Sequence, residues 1–236
     1  MSQLVPHDIK LSRRRLYNLV AAIPLIAWYL FGLVQMLPSM TQQISLAKLI
    51  VQTDPSVLPP ALLLGILSKV CTAVFLALMV VMFAIRRVPL QYPIAFYPRF
   101  VAAAGTFLGI GIVMLPSEEL SSGLYLISLL FIFGGTAFAV WATLALARSV
   151  SIMPEARKLV VSGPYVLVRH PLYIGEFVVL LGIALQHSMP WALLLLGFQC
   201  MFQFERMKNE ERVLAQAFPN YADYVSRTAR LLPGVY

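Results

Sequence analysis

Charged residues are scarce in this sequence: only 12% of its 236 residues are Asp, Glu, Lys or Arg, whereas soluble domains carry roughly 25%. Hydrophobic residues make up 60% of the chain and occur in several long runs, so the mean hydropathy is +0.81. Such a chain needs the bilayer as the solvent for much of its surface. The composition therefore excludes a soluble globular enzyme and a string of soluble domains.

Acidic residues are also few, since 10 Asp and Glu stand against 18 Lys and Arg, which gives a formal net charge of +8. In a soluble protein such an excess would suggest nucleic-acid binding. Here the basic residues lie between the apolar runs. All 18 except Lys48 and Lys69 fall in segments that an even number of crossings places on one face. The positive-inside rule then predicts both termini in the cytoplasm and no nucleic-acid partner.

Cysteine is nearly absent, and its two copies, Cys71 and Cys200, both lie inside apolar runs. In such surroundings a thiol usually behaves as a small packed hydrophobe. The sequence therefore predicts neither a disulfide framework nor a metal site.

The apolar runs predict an all-α, polytopic membrane protein with about six membrane helices. Four runs are long enough to span, and the first should end at Pro38: residues 16–37, 60–85, 100–115 and 124–147. Two runs of about 14 residues, 173–186 and 191–204, predict a short hairpin that only just crosses or dips in partway. We divide the chain into N-terminal transmembrane helices, 1–147, and a region of loop, hairpin and amphipathic C-terminal helices, 148–236.

Two clusters of polar residues flank the short hairpin. The first combines backbone-fixing residues with directional polar groups: Gly163, Pro164, Tyr165, Arg169, His170, Pro171, Tyr173, Gly175 and Glu176. The second lies in the amphipathic C-terminal stretch: Glu210, Glu211, Leu214, Phe218, Tyr221 and Tyr224. Together they could form a rigid polar pocket at the membrane surface. Composition alone equally allows an interfacial basic loop and a solvated tail.

These motifs, at this spacing, resemble the isoprenylcysteine carboxyl methyltransferase family in a bacterial-type version. The specific likeness covers about residues 148–234. It implies an integral-membrane methyltransferase that binds S-adenosylmethionine in a cytoplasm-facing pocket without a Rossmann domain. By this resemblance the cofactor-binding residues are Tyr165, His170, Pro171, Tyr173, Gly175, Glu210 and Glu211. Arg169 and Glu211 are the expected catalytic residues.

The resemblance predicts methyl transfer to a lipophilic acceptor, either a small molecule, a lipid or a lipidated partner that enters from the bilayer. An isoprenylcysteine-like carboxylate is the first expectation, because an anionic acceptor needs alignment and desolvation but no general base. A phospholipid amine or a small thiol is the alternative. A non-catalytic transporter or partner protein is a second class, although the chain has no internal repeat. We expect a bacterial inner-membrane protein with a cytoplasmic active site and leave its oligomeric state open.

Overall fold

The structure, a computed structural model, describes residues 7–92 and 95–234, with side chains from Arg14 onward. Within these residues the regular structure is helical and no strand occurs, which confirms the predicted all-α class. The extreme termini, predicted to be cytoplasmic, lie outside the described residues. So do the side chains of Lys10 and Arg13, two of the basic residues in the topology argument.

Four helical segments have the length and apolar composition needed to cross a membrane: Arg14–Thr53, Pro60–Ile85, Phe96–Val113 and Ser122–Ser149. They cover six α-helices of the described residues, the first of them from Arg14 onward. These are α1 (His7–Val20), α2 (Ile23–Thr53), α3 (Pro60–Ile85), α4 (Phe96–Phe107), α5 (Ile110–Val113) and α6 (Ser122–Leu146). The span predicted at 60–85 has the bounds of α3, and the other three are found with shifted ends.

The expected end of the first span at Pro38 is wrong, because α2 continues through this residue to Thr53. Proline removes one backbone donor, yet membrane helices tolerate it where nearby side chains bond to backbone carbonyls. Ser39 Oγ donates to Met36 O at 3.1 Å, and Thr41 Oγ1 donates to Pro38 O at 2.8 Å. The helix thus continues through Pro38, with two side-chain hydrogen bonds in the turn around it.

The short hairpin consists of α7 (Pro171–Leu185) and α8 (Trp191–Ala217). The predicted end of its second arm at residue 204 is wrong. No Gly or Pro interrupts residues 198–217, so α8 continues into the amphipathic stretch as one helix of 27 residues. At its tip, Ser188 N donates to Pro116 O and Glu118 N donates to Gln186 O, both at 3.0 Å. The hairpin therefore reaches the connection between α5 and α6.

The opposite end of the bundle, which we call the basic end, gathers residues from distant parts of the chain. Arg86, just beyond α3, donates from Nη2 to Asn18 O at 3.0 Å. Arg148, beyond α6, donates from Nε to Ile85 O at 2.8 Å. Ala156, in the loop that follows, pairs with the chain at Gln91. The ends of α1, α3 and α6 and the polar loop therefore meet at one level.

Helix α7 packs closely against α6 at a pair of glycines. A Cβ at Gly175 would lie 2.9 Å from Gly135 O and 3.0 Å from Ala139 Cβ. Only a glycine therefore permits this approach without a shift of one helix, and the contact holds the start of α7 at the basic end.

Candidate functional site

A polar cavity of about 110 Å³ opens at the basic end, between the end of α6, the 149–170 loop, the start of α7 and the polar half of α8. Its wall carries most of the polar residues that the motifs single out. Among them are Tyr165, Arg169, His170, Tyr173, Arg206 and Glu210. The prediction that the two clusters come together is confirmed by this geometry.

Glu210 belongs to a cluster inside this cavity. Tyr173 donates its hydroxyl hydrogen to Glu210 Oε1, and Arg206 Nε donates to the same oxygen at 3.2 Å. The Arg206 guanidinium also lies 4.9 Å from the centre of the Tyr173 ring and donates to Thr106 Oγ1 at 3.0 Å. Both bonds to Glu210 end on Oε1, so its second oxygen has no partner among the described residues.

Glu211, the next residue, faces a different cluster. Its Oε1 accepts from Arg169 Nε at 3.0 Å and Arg230 Nε at 3.0 Å, and lies 3.1 Å from His170 Nε2. Its Oε2 accepts from Arg230 Nη2 at 2.7 Å. Burial disfavours the charged carboxylate, but the hydrogen bonds from His170, Arg230 and Arg169 outweigh it and hold the pKa of Glu211 below its ordinary value. Glu211 is therefore an ionised hub that joins three segments.

The C-terminal segment after α9 (Tyr221–Val225) closes against the start of α7. Arg169 N donates to Ala229 O at 2.9 Å, and the Arg169 side chain donates to Thr228 O. Tyr224 donates its hydroxyl hydrogen to Tyr165 O at 2.7 Å, and burial raises the pKa of Tyr224 to about 12. The phenol thus stays a neutral donor, and the segment forms one wall of the polar cavity.

Three of the expected site residues, Pro171, Gly175 and Glu211, lie outside the cavity wall. Pro171 is the first residue of α7, where its fixed φ suits a helix start. Gly175 contacts α6, and Glu211 lies in the ion cluster beside the cavity. His170 stacks on Tyr173 with ring centres 5.4 Å apart.

Sequence reasoning missed Arg206 and Thr106. Arg206 was counted only as a topology marker, although its position four residues before Glu210 was a readable signal for a helical ion pair. Thr106 carried no such signal, because 100 residues separate it from Arg206.

A second, apolar cavity of about 310 Å³ lies between α7 and α8 beneath the C-terminal segment. Its wall is almost entirely hydrocarbon and includes Ile174, Phe177, Phe204 and Leu231. Phe177 and Phe204 are 44% and 40% exposed on the outer surface of the bundle. Tyr173 lines both cavities, so the polar and the apolar cavity meet at this side chain.

Membrane-length helices with a polar site at one end define the class as an integral membrane protein with a candidate active site. Residues 124–221, which hold α6 to the start of α9, match the family described as phospholipid methyltransferase. This segment therefore resembles a membrane methyltransferase domain. The family resemblance inferred from the motifs is confirmed at this level.

Two curated relatives are similar to parts of the chain. The cobalt-zinc-cadmium resistance protein CzcN of Cupriavidus metallidurans is 43% identical over 77 residues, which cover 32% of this chain and 35% of that protein. The nickel-cobalt-cadmium resistance protein NccN of Alcaligenes xylosoxydans xylosoxydans is 31% identical over 116 residues, 48% of this chain and 52% of that protein. The chain thus spans a third to a half of the length of these relatives.

Proposed function

We propose that this chain transfers a methyl group from S-adenosylmethionine to a lipophilic acceptor. The observation that carries the proposal is the meeting of the polar and the apolar cavity at Tyr173, inside the segment that matches a methyltransferase family. A charged donor suits the first cavity, and an acceptor with a hydrocarbon tail suits the second. The exposed Phe177 and Phe204 give the apolar cavity a side entrance from the membrane.

The polar cavity offers groups of the right chemistry for this donor. The unpartnered oxygen of Glu210 suits the ammonium or the ribose hydroxyls, while His170 and nearby backbone groups suit the carboxylate. S-adenosylmethionine supplies the electrophilic methyl group on its sulfonium. A cavity of about 110 Å³ is smaller than ligand pockets of roughly 300 Å³ and more, so its wall must open when the donor enters.

Arg169 and Glu211 have different parts in this proposal. Arg169 lines the cavity and can orient an anionic group there, in keeping with the catalytic role expected of it. All the contacts of Glu211 go to Arg169, His170 and Arg230. We therefore assign Glu211 as a positioning residue that holds Arg169 and His170 at the cavity wall.

The first acceptor that we propose is a carboxylate on a lipophilic molecule of isoprenylcysteine type. Such an anion attacks the methyl carbon directly and has no proton to lose, so the site need only align and desolvate it.

A phospholipid amine is the second candidate, favoured by the description of the matching family. An ammonium group must lose a proton before it can attack. Glu176 is the candidate for that proton, because its hydrogen-bond partner at 2.7 Å, Gln203, lines the apolar cavity.

We also propose that the basic end and its cavity face the cytoplasm of a bacterial inner membrane. Arg86, Arg148 and Arg157 meet at this end of the bundle, and basic residues concentrate on the cytoplasmic side of membrane proteins.

The test uses the purified full chain in detergent and radiolabelled S-adenosylmethionine. We expect saturable binding, and methyl transfer into a bacterial lipid extract. Alkaline hydrolysis then separates the acceptors, because a methyl ester releases its label and an N-methyl product does not. Glu118→Gln, in the exposed connection after α5, is the control for variants at Glu210. Absence of donor binding in the folded protein would overturn the proposal.

A further inference from the structure

A third cavity, of about 710 Å³, lies at the basic end, and its arginines lie outside the segment that matches the methyltransferase family. We call it the arginine cavity. Its wall comes from α1, from the linker after α3 and from α4, and it includes Arg14, Tyr17, Asn18, Arg86, Tyr92 and Arg99. Met153 and Glu155 line both this cavity and the polar cavity, so the two adjoin.

Two guanidinium groups near this cavity each have a buried nitrogen without a hydrogen-bond acceptor among the described residues. Arg86 contributes one hydrogen bond through Nη2 to Asn18 O, while its buried Nε has no hydrogen-bond acceptor among the described residues. Arg157, only 4% exposed, belongs to the wall of the adjoining polar cavity and bonds to Asn18 Oδ1 through Nη2 at 3.1 Å. Its Nη1 is likewise buried without an acceptor in the described part of the chain. A buried guanidinium donor without an acceptor is costly, and an anion bound beside Arg86 would remove that cost.

Glu155, the carboxylate in the cavity wall, is already engaged. It accepts from Arg157 Nη2 at 2.5 Å and from Ser151 Oγ at 2.7 Å. Its negative charge is therefore matched by Arg157. Arg14 and Arg86 face the cavity, and their positive charges are not balanced by Glu155. The wall thus has the electrostatic character of an anion site.

The remaining wall indicates an anion attached to a membrane lipid. Val88, Pro89 and Leu90 provide an apolar side, while Tyr17 and Tyr92 are 77% and 56% exposed. Tyrosines and arginines at this level are typical of the boundary between acyl chains and headgroups. Basic pockets between membrane helices on one face are suited to lipid phosphate groups.

We propose that the arginine cavity binds the phosphate group of an anionic phospholipid, with Arg14 and Arg86 as its principal donors. This binding is separate from the proposed methyl transfer, since its arginines lie before residue 124 and its readout needs no S-adenosylmethionine.

The experiment measures phosphatidylglycerol binding to the purified full chain by native mass spectrometry in detergent. Diacylglycerol with the same acyl chains tests the need for phosphate, and excess inorganic phosphate tests the need for the lipid. The variants are Arg14→Gln and Arg86→Gln. Their matched controls, Arg15→Gln and Arg87→Gln, remove the same charge from exposed neighbours outside the cavity wall.

We expect each cavity variant to bind phosphatidylglycerol roughly fivefold more weakly than its control, the effect of about one arginine near a lipid headgroup. Diacylglycerol should bind at least that much more weakly to the unmodified chain. Equal losses in variants and controls would reduce the effect to net charge and overturn the site. Full displacement by inorganic phosphate would overturn its assignment to a lipid. Because Arg86→Gln removes a bond to Asn18, Arg14→Gln decides the outcome if Arg86→Gln does not fold.

Discussion

Two adjacent glutamates in α8 face two regions of opposite character. Successive helical residues point about 100° apart, so Glu210 faces the polar cavity and Glu211 faces the contact with the C-terminal segment. Glu211 has bonded partners on both oxygens, whereas one oxygen of Glu210 has no partner among the described residues. A saturated carboxylate is suited to holding a fold together, and an unsaturated one is suited to a ligand. We therefore expect Glu211 to stabilise the fold and Glu210 to bind a ligand, although the two residues belong to one motif.

The largest loss of stability should come from removing Glu211, the carboxylate with partners on both oxygens. In Glu211→Ala, Arg169 and Arg230 lose their shared counter-charge, so we expect the free energy of unfolding to fall by about 3 kcal/mol. Denaturation in mixed micelles measures this loss. Glu118→Ala, at an exposed site, should stay within about 0.5 kcal/mol of the unmodified protein. A Glu211→Ala protein as stable as this control would contradict the role of the hub.

Glu210→Gln tests whether the carboxylate with one unpartnered oxygen binds the donor. The amide keeps the shape but removes the charge that we expect to hold the donor, so the affinity for S-adenosylmethionine should fall roughly tenfold to a hundredfold. Calorimetric titration measures the affinity, and the stability loss should be smaller than that of Glu211→Ala. If Glu210→Gln bound the donor normally while Glu211→Gln did not, the two assignments would have to be exchanged.

Gly175→Ala tests whether this motif glycine serves the packing of the fold or the binding of the donor. Its new Cβ would collide with Gly135 O and Ala139, so overpacking should cost about 2 kcal/mol of unfolding free energy. Donor affinity per folded molecule should change little, because Gly175 lies outside the cavity wall. A large loss of affinity in a fully stable variant would show instead that the glycine contacts the donor.

A fall in pH should produce the smallest loss of stability, and that loss should depend on Glu211. The pKa of Glu211 is depressed in the folded protein, so its stabilisation is complete above its ordinary value of about 4.5 and declines as the pH falls toward the folded value. Below about pH 4.5 the thermal midpoint of the unmodified protein should therefore fall more steeply than that of Glu211→Gln. Parallel curves for the two proteins would remove Glu211 from the acid response.

The sequence was informative where local chemistry decides the structure. The bounds of α3 follow from its apolar run and from Pro60, and the two motif clusters do meet. Prediction failed at Pro38, because the loss of one backbone donor does not end a helix of 31 residues. It also failed to separate Glu210 from Glu211, because their partners, Arg206 and Arg230, are chosen by the packing of α8 against its neighbours. The division at residue 147 stays a prediction.

Because α8 is one continuous helix, we expect the geometry of the candidate site to respond to the thickness of the bilayer. A single rod of 27 residues, about 40 Å long, carries the hairpin tip at one end of the bundle and both glutamates at the other. The arm formed by α7 is only about 22 Å long, so a thick membrane strains the hairpin and pulls on the rod. We expect any such pull to reach Glu210 and Glu211 directly, so the rate of the proposed methyl transfer should depend on the acyl-chain length of the surrounding lipids.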